Sequence, residues 1–249
     1  MLDSWRLALG TLTALPVAAP SRVDRAVAGR AALLAPLAAV PLGLSVAAAL
    51  WVGSYANVPA TALGLLAVAV LVLGTRALHV DGLADTADGL TASYDRERSL
   101  AVMRTGDVGP AGVAAVVIVL GLQSVGFAAL ADAPLIAGAL VCLSRGVVPL
   151  CCMHGVPAAR PDGLGSPFAA SVPREIALLA WIATASVGIA LAVVLDASWL
   201  RAISAFAIAT VVVALLVRRA IRRLGGITGD VFGAAIELSL AVLVVVAAS

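Results

Sequence analysis

Residues 58–90 read VPATALGLLAVAVLVLGTRALHVDGLADTADGL, and this stretch decides the fold class. As far as Leu78 the segment carries a single charge, Arg76, and three aspartates follow within HVDGLADTADGL. A helix of about twenty apolar residues is long enough to cross a bilayer. The pattern therefore predicts a membrane helix whose end is marked by a concentrated group of carboxylates.

The composition of the whole chain supports a membrane environment. The 249 residues are 62% hydrophobic and 12% charged, and the mean hydropathy is +1.11. A soluble domain of this size usually carries about 25% charged residues, so its surface would be far more polar. The net charge of +2 also argues against a nucleic-acid-binding surface, which needs a clustered basic patch.

Seven long apolar runs predict an all-α, polytopic integral membrane protein. Only helices and closed barrels span lipid, and the strict alternation of a barrel strand is missing here. We expect one integral membrane catalytic domain over residues 1–249, with residues 1–30 as an interfacial N-terminal segment. The runs are Ala31–Ser54, Val58–Leu78, Pro110–Ala131, Pro134–Met153, Ile176–Leu195, Ala202–Val217 and Val231–Ala248.

Arginine placement predicts the orientation in the membrane. Arginines precede the first run and fill the loops after the second, fourth and sixth runs, whereas the alternate connections hold one arginine in total. The positive-inside rule then places the N-terminus and the three long loops on the cytoplasmic side of the inner membrane. The segments HVDGLADTADGL, HGVPAARPDGLGSPF and GGITGDVFGAAIEL would share that face and could form one site.

Asp81, Asp85 and Asp88 are the strongest candidate metal ligands. Their i, i+4, i+7 spacing places them on one face of a helix. Like charges so close together raise one another's pKa unless a cation lies among them. Hard oxygen ligands suit Mg²⁺, which takes one or two carboxylates and completes its shell with water and phosphates. Gly82 would let a phosphate approach the backbone, and a solvated helix end is the alternative interpretation.

The following loop contains a predicted short helix and further candidates. Asp95 can cap a helix from Arg96 to Arg104, and Gly106 suits its end. Asp107 would then return towards the membrane surface near the aspartate cluster. Arg104 is either a phosphate ligand or a solvated cationic helix end.

Two ionisable residues lie inside apolar runs, where a charge is costly. Arg145 in CLSRG needs an anion, which is either a carboxylate or a bound phosphate. Glu237 follows Asp230 by seven residues, and the pair could bind a second cation or supply a general base. Pairing of Glu237 with Arg145, or with an arginine of the 218–223 segment, is the structural alternative. The only histidines, His79 and His154, are polar helix ends or general-base candidates.

Several motifs in order resemble the cobalamin synthase family, whose members are adenosylcobinamide-GDP ribazoletransferases. The matching segments are DGLADTADGL, DRERSLAVMRTGDVGPAG, LSRG followed by ARPDGLG, and GGITGDVFGAAIE. The N-terminal LTALPVAAP is also similar to the family's leading stretch, although Ala14 replaces the usual arginine. The resemblance extends over nearly the whole chain.

The resemblance implies that the cobinamide phosphate of adenosylcobinamide-GDP moves to α-ribazole or its 5′-phosphate and that GMP leaves. It also implies Mg²⁺ and residence in the cytoplasmic membrane. In this chemistry the three aspartates of HVDGLADTADGL would hold Mg²⁺, and Arg145 and Arg104 would bind phosphate oxygens. Asp230, Glu237 or Asp107 would bind a second cation or remove the proton of the acceptor hydroxyl. Asp162 and Gly163 would shape a substrate loop, or form an ordinary turn. Because the corrin ring is large, either an open groove or a homo-oligomer interface could accommodate it.

Two other classes share part of these features. A CDP-alcohol phosphotransferase also clusters aspartates at a helix end, but Asp85 stands where its motif has arginine, and the second half of that motif is absent. A small-solute transporter could use Arg145 and Glu237 to gate a path. The acids here gather at one face, and no inverted repeat is visible.

Overall fold

The computed structural model describes residues 1–163 and 165–249, and within these ranges helices form all the regular secondary structure beyond two isolated bridges. The all-α prediction is confirmed. The helices are α1 Leu2–Leu12, α2 Arg25–Leu33, α3 Ala35–Ala38, α4 Val40–Tyr55, α5 Ala60–Gly74, α6 Leu78–Ala92, α7 Arg96–Val102, α8 Pro110–Ala129, α9 Pro134–Ser144, α10 Val148–Cys151, α11 Arg174–Val194, α12 Trp199–Leu224 and α13 Gly229–Ala248, with a 3₁₀ turn at Arg145–Val147.

Five stretches in the described residues are long and apolar enough to cross a membrane, and we treat them as the membrane-spanning segments. They are α8, the continuous run Pro134–Cys151, α11, α12 and α13, and a sixth is counted if α5 and α6 together are one span. The sequence predicted about seven spans; length and apolarity give five or six in the described residues, and α4 is a further apolar helix of 16 residues. The run Ala31–Ser54 is broken into three helices, with Pro36 and Pro41 at the starts of α3 and α4, where proline fits a first turn.

The second predicted run, Val58–Leu78, ends in a sharp bend. Helices α5 and α6 meet at 91°. Arg76 and Ala77 adopt left-handed conformations at φ 56° and 58°, which no right-handed helix can continue. The bend turns α6, with its aspartates, away from the α5 axis.

Helix α13 lies at the centre of the bundle and packs against α6, α8, α9 and α12. Glycines allow the close approach. A Cβ on Gly233 would lie 2.9 Å from the carbonyl oxygen of His79, and a Cβ on Gly82 would lie 2.7 Å from that of Asp230. Such contacts are typical of helix packing in lipid, where small residues bring backbones together. In contrast, α8, α11 and α12 expose many large apolar side chains, as expected for surfaces that face lipid. The interfacial role of residues 1–30 stays a prediction.

Candidate active site

The three aspartates of α6 lie in different environments. Asp81 is exposed, Asp85 is half-buried, and Asp88 is only 6% exposed. The helix spans all three, as the spacing predicted. Their side chains nevertheless have different partners.

Asp88 is tied to the start of α8. Its carboxylate accepts hydrogen bonds from the backbone amides of Gly109 at 2.7 Å and Gly112 at 2.8 Å. A Cβ on Gly112 would come within 2.3 Å of the Asp88 carboxylate, so glycine is needed for this approach. The carboxylate satisfies amides that have no partner within the helix, and it lies at the positive end of the helix dipole. The structure thus gives Asp88 a capping role, and its metal-binding role stays a prediction.

Asp85 faces the start of α13, where Asp230 lies. Burial, followed by the charges of Asp81 and Asp230, raises the pKa of the Asp85 carboxyl to about 6. Asp230 is oriented by Thr228, whose hydroxyl donates to Oδ2 at 3.0 Å. Gly82 packs directly on the Asp230 backbone, so it serves helix packing and not the phosphate approach that we expected. The carboxylates of α6 and α13 therefore meet at this contact.

The described residues contain no preformed group of three or more His, Cys, Asp or Glu side chains arranged to hold a metal ion. The site is a looser set, comprising Asp81 and Asp85 on one helix and Asp230 opposite. Magnesium often takes only one or two protein carboxylates, and water and phosphate oxygens complete the shell. The donor chemistry of this set fits such an ion, and the metal assignment stays a prediction.

Arg160 is a site residue that sequence reasoning missed, because we used it only for membrane orientation. The charges of Asp230, Asp162 and Asp85 are close enough to act on its guanidinium, although none forms an ion pair within 4 Å among the described residues, and it donates to the carbonyl of Leu100. Burial, followed by the charge of Arg104, lowers the pKa of the Arg160 guanidinium. The available signal was its place in ARPDGLG, directly beside the motif residues that we selected.

A polar cavity of about 200 Å³ lies beside Arg160 and Asp230. We use this name for the space lined by Met103, Arg160, Gly163, Gly165, Ser166, Ile227, Thr228, Gly229 and Asp230. Helix α13 begins there, with Thr228 as its cap. One guanidinium, two hydroxyls and several glycines make this space suitable for a phosphate group.

A larger cavity of about 420 Å³, here called the apolar cavity, adjoins the polar cavity. Gly163, Gly229 and Asp230 line both cavities. Asp162 lines the apolar cavity and forms an exposed ion pair with Arg104 at 3.6 Å. The structure thus brings the predicted residues Arg104, Asp162 and Gly163 close to Asp230.

Asp107 lies elsewhere. It is exposed and lines a separate cavity of about 470 Å³ together with Asp88 and Gly109. That cavity shares no lining residue with the polar or the apolar cavity within residues 1–163 and 165–249. The structure does not bring Asp107 together with Asp230.

Arg145 and Glu237 belong to a buried polar cluster within the bundle. Arg145 is fully buried and donates to the carbonyl of Val141 at 2.9 Å and to the hydroxyl of Ser144 at 2.8 Å. Its Nε and Nη2 atoms have no hydrogen-bond partner among the described residues. Arg145 does not line the polar cavity, and its binding of a phosphate group stays a prediction.

Glu237 accepts a 2.6 Å hydrogen bond from Gln123 on α8, a residue that the sequence analysis did not select. Its Oε1 lies 3.8 Å from Nδ1 of the buried His79, and the charge of Arg145 is close enough to act on it. The carboxylate is thus held inside the bundle by a neutral amide, and among the described residues no ion pair within 4 Å joins it to Arg145 or to an arginine of the 218–223 segment, which the structural alternative had expected. His154, the other histidine, is exposed, and its backbone amide bonds to Val172.

Comparison with known proteins adds independent information. The family model described as cobalamin-5-phosphate synthase matches residues 4–248. An adenosylcobinamide-GDP ribazoletransferase of Nocardioides sp. is 54% identical over 241 residues, which cover 97% of this chain and 96% of that protein.

More distant relatives carry the same name. The protein of Frankia casuarinae is 38% identical over 269 residues, covering 100% of this chain and 95% of the relative. The protein of Bradyrhizobium diazoefficiens is 35% identical over 252 residues, covering 100% and 94%. No solved structure matches the chain.

Proposed function

The chain belongs to the cobalamin-5-phosphate synthase family, and from that membership we propose that it acts as an adenosylcobinamide-GDP ribazoletransferase. It transfers the cobinamide phosphate of adenosylcobinamide-GDP to α-ribazole or its 5′-phosphate and releases GMP. The product is adenosylcobalamin or its 5′-phosphate, formed late in cobalamin biosynthesis.

The observation that carries this proposal is the convergence of charged residues from separate segments at Asp230. Arg160, from the loop after α10, lines the polar cavity together with Asp230 at the start of α13. Asp85 of α6 lies outside that lining but close enough for its charge to act on Arg160 and for the charge of Asp230 to act on it. Phosphoryl transfer needs charge stabilisation and positioning more than covalent chemistry from the protein. Arg160, with the hydroxyls of Ser166 and Thr228, would bind the phosphate oxygens of the donor.

Mg²⁺ is the ion that suits the carboxylates around this cavity. Asp81 and Asp85 would hold it, and Asp230 lies opposite them. When bound, such an ion neutralises charge on a diphosphate. The repulsion among the carboxylates supports this assignment, because a cation among them would relieve it.

Asp230 is the preferred group to receive the proton of the acceptor hydroxyl. Asp230 lines both cavities, and the hydroxyl of Thr228 orients its carboxylate by donating a hydrogen bond to Oδ2 at 3.0 Å. Glu237 is less suited, because Gln123 occupies its carboxylate inside the bundle. This choice departs from the sequence analysis, where the two residues were equal candidates.

The placement in the membrane is also proposed. The site lies where α6, the loop after α10 and the start of α13 meet. The arginines that favour the cytoplasmic side of the inner membrane lie near these segments, at Arg96 and Arg98 in α7, at Arg160 after α10, and at Arg222 and Arg223 in the last turn of α12. A soluble nucleotide-linked donor and GMP would then exchange directly with the cytoplasm.

The test is GMP release by the purified, detergent-solubilised protein, given adenosylcobinamide-GDP and α-ribazole over a range of Mg²⁺ concentrations. Asp85→Asn should lower turnover by at least about a hundredfold, because an electrostatic group at the phosphate is removed. Asp132→Asn, an exposed aspartate between α8 and α9, is the matched control and should behave as wild type.

Turnover of Asp85→Asn close to wild type would contradict the site. Release of CMP from a CDP-alcohol in place of GMP would favour the phosphotransferase alternative. Solute flux in proteoliposomes without any turnover would favour a transporter.

A further inference from the structure

The phosphate chemistry proposed above does not use the apolar cavity. This space lies between α1, α3, the start of α13 and the loop after α10, and Leu12, Ala35, Phe168 and Phe232 contribute to its walls. Its volume of about 420 Å³ falls in the range typical of small-molecule sites. It is therefore large enough for part of a substrate.

The walls of this cavity combine aromatic surface with one polar side. The rings of Phe168 and Phe232 lie 5.6 Å apart between centroids and are tilted by 60°. Asp162 and Asp230 supply carboxylates, whereas aliphatic residues form most of the remaining lining. Aromatic rings favour contact with other aromatic rings in such tilted or offset arrangements.

The two cavities are joined by their shared residues. Gly163, Gly229 and Asp230 line both, so a ligand with an apolar ring in one cavity can place a polar group at Asp230. The two glycines place no Cβ atom at this shared boundary. A molecule that is aromatic at one end and carries hydroxyls at the other fits this division.

We propose that the apolar cavity binds the aromatic base of the acceptor nucleoside and directs its ribose towards Asp230. This inference rests on the proposed function. A ribazole is a riboside of a benzimidazole, whose fused rings have few hydrogen-bonding groups. The guanine of the donor carries several more donors and acceptors along its edges. Thr11, His79, Asp162 and Asp230 are the polar side chains of a lining that is otherwise apolar, so a benzimidazole, with fewer polar groups to remove from water, matches it better. The acceptor is thus the better occupant.

The experiment compares Phe168→Ala with Phe206→Ala in the full-length, detergent-solubilised protein. Phe206 is a buried aromatic residue, whereas Phe168 is partly buried, and Phe206 packs on Trp181 and lines a different apolar cavity of about 180 Å³. Phe168→Ala should raise the KM for α-ribazole about tenfold, because the base loses an aromatic contact, with kcat and the KM for the donor within about twofold. Phe206→Ala should leave the acceptor KM unchanged.

A second variant and a second measurement guard against misfolding. Phe168→Leu keeps most of the side-chain volume and should give an intermediate acceptor KM. Equilibrium dialysis of α-ribazole against wild type and Phe168→Leu measures acceptor binding without turnover, and the affinity should fall in parallel with the KM.

The outcomes separate this inference from the proposed function. An active Phe168→Ala protein with unchanged acceptor KM, or with a raised KM for the donor alone, would overturn the cavity assignment and leave the transferase in place. An acyl chain as the true occupant would give the first of these results. Wild-type protein that releases no GMP would overturn the transferase and, with it, this assignment.

Discussion

Replacement of Asp88 by alanine is expected to destabilise the fold, because the structure uses this carboxylate as a cap for α8. The side chain is 6% exposed and accepts two amide hydrogen bonds, from Gly109 at 2.7 Å and Gly112 at 2.8 Å. A hydrogen bond to a charged group contributes about 1.5–3 kcal/mol, and loss of a helix cap typically costs about 0.5–2 kcal/mol. We expect Asp88→Ala to lower the free energy of unfolding by about 3 kcal/mol, since these terms overlap.

Asparagine at the same position should cost about half as much, because its carbonyl oxygen can accept one of the two bonds. A change of 1 kcal/mol shifts the melting midpoint by about 2–4 °C in a chain of this size, so Asp88→Ala should melt about 6–12 °C below wild type. The assay heats detergent-solubilised protein in steps and measures the fraction that still elutes as folded protein in size-exclusion chromatography. The exposed Asp132→Ala is the control and should melt within about 2 °C of wild type.

Activity measured well below the melting midpoint completes the test. Asp88→Asn should keep the wild-type dependence of GMP release on Mg²⁺ concentration. The reasoning is refuted if Asp88→Ala melts like wild type while Asp88→Asn needs at least about ten times more Mg²⁺ for half its maximal rate. That result would return Asp88 to the role of metal ligand.

Three further predictions concern other contacts. Arg160→Gln should raise the KM for adenosylcobinamide-GDP at least about tenfold in steady-state GMP release, because the variant lacks the guanidinium that lines the polar cavity. An unchanged KM for this donor would exclude phosphate binding by the Arg160 side chain. Glu237→Leu should destabilise the protein by about 1–3 kcal/mol, since the buried amide of Gln123 loses its 2.6 Å partner. Adding Gln123→Leu should recover part of the loss in a double-mutant cycle of melting midpoints, whereas strict additivity would mean that the two side chains do not interact. Ala77→Gly should stabilise by up to about 1 kcal/mol, because glycine adopts φ 58° without a Cβ penalty, and a lowered melting midpoint would contradict the left-handed bend.

Features set by short stretches of sequence were predictable. Asp95 caps α7 by accepting from the amide of Arg98 at 2.7 Å, as its place before a polar helix predicted. Long apolar runs also became helices, because their composition leaves no other way to satisfy the backbone in lipid. The bend at Arg76 and Ala77 was not predictable, because neither arginine nor alanine usually adopts a left-handed conformation. The packing of α6 on α13 was not predictable either, because the two helices are far apart in the sequence.

The candidate site was predictable only in part for the same reason. The acidic face of α6 and the importance of Asp230 follow from local patterns. The capping of α8 by Asp88 depends on Gly109 and Gly112, whose amide positions are set by the tertiary fold. The local signal for Arg160 was its place in ARPDGLG, but two of its carboxylate neighbours, Asp85 and Asp230, come from separate segments. Long-range contacts decide which charged side chains share a cavity.

The contact between α6 and α13 has a consequence for how the protein is made. When α6 leaves the ribosome, its packing partner has not yet been synthesised, and α5 before it has only 15 residues. The growing chain must therefore hold a helix with three carboxylates at the bilayer surface until translation has passed residue 229. A nonsense mutation shortly upstream of that residue removes the surface on which Gly82 packs and leaves α6 with contacts mainly to α7 and α8.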